Sequence, residues 1–345
     1  MPGQGPGHST TPDAPLWRKQ LFNPTNLSAD ESSIGRHGRQ NLEPAMKAAL
    51  LKAYGGVDQF EISEIPVPKP GPGEVLIKIE VSAVNPFDLI LRQGFMAQYI
   101  PLPLPAVLGG DAAGTIAELG AGVTSLSLGD RVVADFPANG RGAHAEFGVI
   151  PATSVAKLPA ALTFEQGATL VKAGLTARQT VDALGVKPGD CVLISGALGS
   201  VGRAAIQYLH EIGAKPVAGV RPERLDEART LAGEALDITV TPAASSFDYA
   251  ISAAAPVAAP LIGHVRDGGK IASIVPVPEG SNAAGRVTIQ ELFHRTDTAT
   301  LDAVLDAAVK GLLVIPVAHT FALEEIRAAQ NAVALGARGK VVLRH

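Results

Sequence analysis

The sequence predicts an α/β protein: a β-rich domain followed by a doubly wound parallel sheet. Three observations carry that prediction. From Met46 to about Phe164, short apolar or alternating runs are separated by Pro and Gly clusters. From about Gly167, strand-like runs alternate with stretches of helical period, the rhythm of βαβ units. Within that second region Leu193–Gln207 reads LISGALGSVGRAAIQ, an apolar run that drops into a small-residue turn and re-emerges as a helix.

Taken in order, residues 1–45 come first. MPGQGPGHSTTPDAP is Gly-, Pro- and polar-rich, and the following segment patterns no core, so a disordered extension is expected. It lacks the basic start and apolar stretch of a secretory signal; translation from Met46 is an alternative. The runs MKAALL, FEISEI, EVLIKIEVSAV, GTIAEL, RVVADF and AEFGVI then predict irregular, antiparallel β structure. GATLVKAGLTARQTVDAL has helical spacing, and strand CVLIS leads through the glycine turn into helix VGRAAIQYLHEIG. Strand PVAGV, helix PERLDEARTLAG, strands LDITV and FDYAIS, helix PVAAPLIGHVR and strand KIASIV follow. The last 34 residues, from LLVIPV to the end, read strand, helix, strand.

At 345 residues the chain suits two domains, and 46% hydrophobic content can fill both. A net charge of −4 with no basic block offers nothing to nucleic acid or an anionic membrane. No apolar run reaches the roughly 18 residues of a membrane span. One cysteine, Cys191, excludes an internal disulfide framework and a cysteine zinc cluster, and a cytoplasmic location is expected.

The turn Ala197-Leu198-Gly199-Ser200-Val201-Gly202 is the dinucleotide fingerprint with alanine at its first glycine and Gly196 just before. Gly199 lets the backbone approach a pyrophosphate, and Gly202 lets the helix pack on the strand. The helix N-terminus then offers free N–H groups to the phosphates. Strand before, helix after and a second strand about 20 residues on supply the context the motif needs. At the end of that second strand stands Arg221, where NAD-binding versions usually place an acid, so NADPH is the expected cofactor; Glu223, two residues on, keeps a ribose contact open.

The segments NPFDLILRQG, PAVLGGDAAGTI, GDRVV, GAHAEF, AGLTA, GVKPGD, GALGSVG and GKVVL occur in one order. From Met46 to the C-terminus the chain thereby resembles the zinc-independent quinone oxidoreductases (zeta-crystallin-like) of the medium-chain dehydrogenase/reductase superfamily. The resemblance implies a GroES-like catalytic domain of residues 46–165 and 312–345 and a Rossmann domain of residues 166–311. It also implies a homodimer formed through the edge segment GRVTIQELF. Where zinc-dependent relatives carry a ligand cysteine and a Gly-His-Glu segment, this chain has VSAVNPFDL and LGGDAAG, with Asp111 in the place of the Glu. No metal is therefore expected.

By the same resemblance, Asn85 lies near the nicotinamide and substrate, and Thr176 by the nicotinamide half of the cofactor. Ile274 and Val275 contact it through their backbone, and Lys340 approaches it, against the plainer reading of an exposed strand-end lysine. Ile90 stands where many members have a pocket tyrosine, and His144 where an aromatic is common; His144 is a candidate proton donor or a packing residue. Lys172 occupies a place usually apolar or proline. Without a metal to polarise a carbonyl, the acceptor must already be electrophilic. The implied reaction is hydride transfer to a quinone in an interdomain cleft. The alternatives are reduction of a conjugated enone or enoyl double bond, and a non-catalytic NADPH-binding protein.

Overall fold

The computed structural model describes residues 44–240, 245–254 and 258–345. The expected N-terminal extension lies, up to residue 43, outside the described residues. The described residues all belong to one compact unit. In chain order its strands and helices are β1 (Ala45–Leu51), β2 (Phe60–Pro66), β3 (Glu74–Val84), α1 (Pro86–Gln93), β4 (Ala106–Val107), β5 (Asp111–Leu119), β6 (Arg131–Asp135), β7 (Phe147–Pro151) and β8 (Val155–Lys157). There follow α2 (Phe164–Leu184), β9 (Cys191–Ser195), α3 (Ser200–Glu211), β10 (Lys215–Val220), α4 (Leu225–Ala232), β11 (Glu234–Asp237), β12 (Phe247–Ser252), α5 (Ala258–His264) and β13 (Val265–Ser273). The chain closes with β14 (Thr288–Glu291), α6 (Thr298–Val309), β15 (Val317–Ala322), α7 (Ile326–Ala334) and β16 (Lys340–Arg344).

The second half builds one sheet in the order β11-β10-β9-β12-β13-β14, every pair parallel. The strand order runs outward from β9 in both directions, so the doubly wound expectation holds. It also places a switch point between β9 and β12, where α/β sheets bind ligands beyond the strand ends. The first half forms a largely antiparallel sheet, β15-β16-β3-β5-β6-β8 with β7 on β3, plus the small sheet β2-β1-β4. The last strand, β16, returns to the first half and lies antiparallel to β3 with Val341 opposite Val84.

Helix α2 joins the two sheets. Thr163 caps it in a reciprocal box with Gln166 (3.1 and 2.8 Å), and Gly185 ends it. Its buried residues fall on nearly every face, because it packs against β5 and β6 on one side and α3, α6 and β13 on the other. The largest core cluster accordingly runs from Val81 and Val133 through Leu175 and Val181 to Ile194 and Leu301.

At NPFD, Pro86 opens helix α1, the Asp88 carboxylate accepts the Asn85 backbone N–H (2.7 Å), and Gly94 ends the helix in the left-handed region. Two local expectations are corrected. Strand β11 spans Glu234–Asp237 rather than LDITV, because the Asp237 carboxylate accepts the backbone N–H (2.9 Å) and hydroxyl (2.6 Å) of Thr239 and turns the chain. Helix α5 stops at His264, and Val265 and Arg266 belong to β13, with Val265 paired to Phe247 and fully buried.

Candidate cofactor and substrate site

The glycine turn sits at the switch point. Gly196 follows β9 with φ +69°, a conformation that favours glycine, and a Cβ there would meet Ala253 and Ala254 beyond β12. A Cβ on Gly202 would overlap the Gly196 carbonyl and lie 2.7 Å from the Ala197 Cα, so α3 can lie against the turn only as glycine. Gly199 is different: its Cβ would meet only the Gly196 oxygen, at 3.3 Å, with open space otherwise. That opening is where the backbone can approach a ligand.

Gly199 precedes α3, and no side chain caps the helix. Ala197 is fully buried and Leu198 nearly so, while Ser200 and Val201 are half-buried. Strands β9, β12 and β13 end in register on Ser195, Ser252 and Ser273, all buried. Among the described residues the Ser195 and Ser252 hydroxyls have no hydrogen-bond partner, whereas Ser273 donates to the Val275 carbonyl (2.6 Å). Buried polar groups are rarely left unpaired, so a polar ligand at the strand ends suits this donor set. Ile274 and Val275 follow β13 half-buried, with the Ile274 N–H donating to the Ser252 carbonyl (3.0 Å).

One strand over, β10 runs parallel to β9 with Gly219 opposite Ser195, which carries Arg221 out beside the turn. Arg221 is exposed and makes no ion pair among the described residues, as is Glu223. Its neighbours are committed: Glu227 accepts Arg203 (2.9 Å) and Arg224 (2.9 Å), and Arg203 also donates to the Leu198 carbonyl (3.1 Å).

Residues of α1, β5, β16 and α2 make a second, buried polar chain. Lys340 corrects the reading of an exposed lysine: it is 4% exposed, donating to Asn85 Oδ1 (2.6 Å) and pairing with Asp111 (2.9 Å). The Asn85 amide donates to Asp111 Oδ2 (3.0 Å), and the other Asp111 oxygen accepts the Lys172 backbone N–H (3.0 Å). Asn85 is thus fixed in orientation by one donor and one acceptor.

The Lys172 ammonium turns to Asp135 in a close ion pair, and lies 3.3 Å from both the Phe136 carbonyl and His294 Nε2. Asp135 also faces His294 (3.3 Å) and accepts the Thr296 hydroxyl (2.6 Å). Burial pushes the Asp135 carboxyl up, but Lys172 and His294 more than reverse this and hold it well below the usual range. Burial likewise opposes the Lys172 charge, and Asp135 and Asp111 outweigh it, so the ammonium is raised above its ordinary value.

His144 lies away from this chain. Its ring is fully buried, with Nδ1 3.2 Å from the Ser82 hydroxyl, and burial pushes its pKa down to about 3. The ring is thus neutral near pH 7, and its buried Nε2 has no hydrogen-bond partner among the described residues. Ile90 is exposed on α1, and Thr176 is half-buried on α2, its carbonyl accepting the Thr180 hydroxyl (2.6 Å). Sequence reasoning missed Asp135, His294 and Thr296; Asp135 lies 159 residues before His294, and none of them belongs to a local motif.

A family model, the alcohol dehydrogenase GroES-like domain, matches residues 71–160. A chloroplastic quinone oxidoreductase from Triphysaria versicolor is 30% identical over 250 residues, covering 68% of this chain and 76% of that one. The chain belongs to the medium-chain dehydrogenase/reductase superfamily, beside its quinone oxidoreductases. Within this superfamily a trans-enoyl reductase from Aspergillus terreus is 35% identical over 207 residues, 55% of this chain and 67% of that one. Several further curated relatives are matched over only about half of their own length. Among solved structures, a quinone oxidoreductase of Pseudomonas syringae superposes with a TM-score of 0.78 at 25% identity, covering 87% of this chain and all of that one.

For a member of this superfamily the donor set near Asp111 is notable. Its carboxylate is taken by Asn85, Lys340 and the Lys172 N–H. A Cβ on Gly110, the position before it, would overlap the Lys172 side chain. Among the described residues no group of three or more His, Cys, Asp or Glu could hold a metal, and no helix is long and apolar enough to cross a membrane.

Proposed function

We propose that this chain is an NADPH-dependent reductase of a quinone in the cleft between its two main sheets, working without zinc. Residues 46–165 with 312–345 would form the catalytic domain and residues 166–311 the cofactor domain. The observation that carries the reading is the glycine turn at the switch point, with an uncapped helix behind it and open space at Gly199. The α3 N-terminus and the Gly199 backbone bind the pyrophosphate, and Arg221 pairs with the 2′-phosphate. Thr176, Ile274 and Val275 line the nicotinamide half. When bound, the cofactor supplies a hydride to an acceptor that is already electrophilic. Asn85, held between Asp111 and Lys340, orients the reacting groups rather than titrating.

A second reading is reduction of a conjugated carbon–carbon double bond, favoured by the similarity to a trans-enoyl reductase. The partner is then an enone rather than a quinone, and the cofactor site is unchanged. A homodimer through the free edge of β14 accompanies both readings.

The test is loss of reduced-nicotinamide absorbance with a panel of ortho- and para-quinones and one enone, with product analysis. NADPH should be oxidised in preference to NADH. Arg221→Ala should weaken NADPH by roughly 10- to 100-fold, the value of one charge-assisted hydrogen bond, and leave NADH nearly unchanged. Tight NADPH binding with no turnover on any acceptor would instead favour the non-catalytic reading.

A further inference from the structure

The buried polar chain contains two lysines, and they are not equivalent. Lys340 is sealed in, its ammonium shared between Asn85 and Asp111. The Lys172 side chain is 16% exposed, and its partner His294 is 24% exposed, whereas Asp135 behind them is 1% exposed. The ion pair is thus closed on the Asp135 side, while the side chains of Lys172 and His294 keep some exposure. Lys172 and Thr176 are four residues apart on α2, so they share one face of the helix, the face expected beside the nicotinamide half. Phe87 of α1 and Phe293, the residue before His294 in sequence, meet edge-to-face with centroids 6.3 Å apart. The Lys172 stem lies over Gly110, whose missing Cβ makes the room. Gly110 stands where the zinc-dependent relatives carry the histidine of their Gly-His-Glu segment.

We propose that the Lys172 ammonium binds the carbonyl oxygen of a planar conjugated substrate and holds the negative charge that reduction places there. It does by charge what a metal ion would do as a Lewis acid. The proposal rests on the reductase reading. When a hydride adds to the conjugated carbon, a C–H bond forms and the π electrons shift on to the carbonyl oxygen. The oxyanion rests against the ammonium and becomes a hydroxyl by taking one proton from water. Asp135 keeps the ammonium in place and charged. Asp111, Asp88, Lys340 and His294 are the remaining charged or titratable groups of the cluster.

The test uses 4-nitrophenol as an oxyanion probe on the full chain, reading its ionisation by absorbance across a pH series. The wild type should bind it with its pKa lowered by about one to two units relative to solution, the effect of a neighbouring opposite charge. Lys172→Met should abolish the lowering. Because that change leaves Asp135 buried without its partner, the double variant Lys172→Met/Asp135→Asn is measured beside it, with circular dichroism to check folding. The same lowering in the double variant overturns the proposal, and so does an unshifted pKa, or no binding at millimolar probe, in the wild type. NADPH binding by fluorescence titration is read separately: its absence counts against the reductase reading, whereas a normal titration with an unshifted probe counts against Lys172 alone.

Discussion

Asp88 shows what burial does to one carboxyl. It lies 3% exposed under α1, and burial raises its pKa from 3.8 to about 6, against the lowering effect of the Asn85 N–H it accepts. The unfolded chain therefore releases this proton first. The stability it contributes is complete below about pH 4 and is lost as the pH rises through about 6. Two pKa units correspond to about 3 kcal/mol. Asp88→Asn keeps an acceptor for the Asn85 N–H and removes the titration. Urea unfolding should find the variant more stable than wild type by about 1–3 kcal/mol at pH 8, with the difference vanishing near pH 4. A constant difference across that range would sink the assignment. Residue types alone did not disclose this. The helix signal of Pro86 and Asp88 was present in NPFD, but the burial that perturbs Asp88 comes from the surrounding fold.

At the scale of elements, the strand–turn–helix unit β9-turn-α3 separates packing from binding. Adding a methyl at Gly202 drives it into the Gly196 carbonyl and the Ala197 backbone, so Gly202→Ala should cost about 1–3 kcal/mol by overpacking. A methyl at Gly199 meets one oxygen at 3.3 Å and should leave thermal unfolding nearly unchanged while NADPH binding falls at least about tenfold. Calorimetry and a binding titration on both variants decide this; equal stability losses would show that both glycines serve packing alone. This unit was legible in the sequence because its period, turn and helix lie within about fifteen consecutive residues. The ends of β11 and α5 were not, since a side-chain turn at Asp237 and the buried pairing of Val265 with Phe247 override the apolar pattern. The Lys172–Asp135–His294 group was illegible for a different reason. Its three members come from α2, β6 and the chain after β14, and only tertiary pairing unites them.

For the whole molecule, the two sheets share α2 as their common wall, and the chain after β6 and the chain after β14 meet on its Lys172, through Phe136 and His294. Gln179 of the same helix clamps Arg295 by its backbone, donating to the carbonyl (2.8 Å) and accepting the N–H (2.9 Å). Among the described residues, the outer edge of β14 in the six-stranded sheet has no neighbouring strand. An open edge is a template for pairing with a second copy. Light scattering at micromolar concentration should give a dimer mass, and Ile289→Pro should shift it toward monomer; a monomeric wild type would remove the edge from consideration. The steric exclusion between Gly110 and Lys172 reaches beyond those two residues. A side chain at 110 obliges the end of Lys172 to move, and moving it takes from buried Asp135 its close partner, so the two positions are coupled through a carboxylate that touches only one of them.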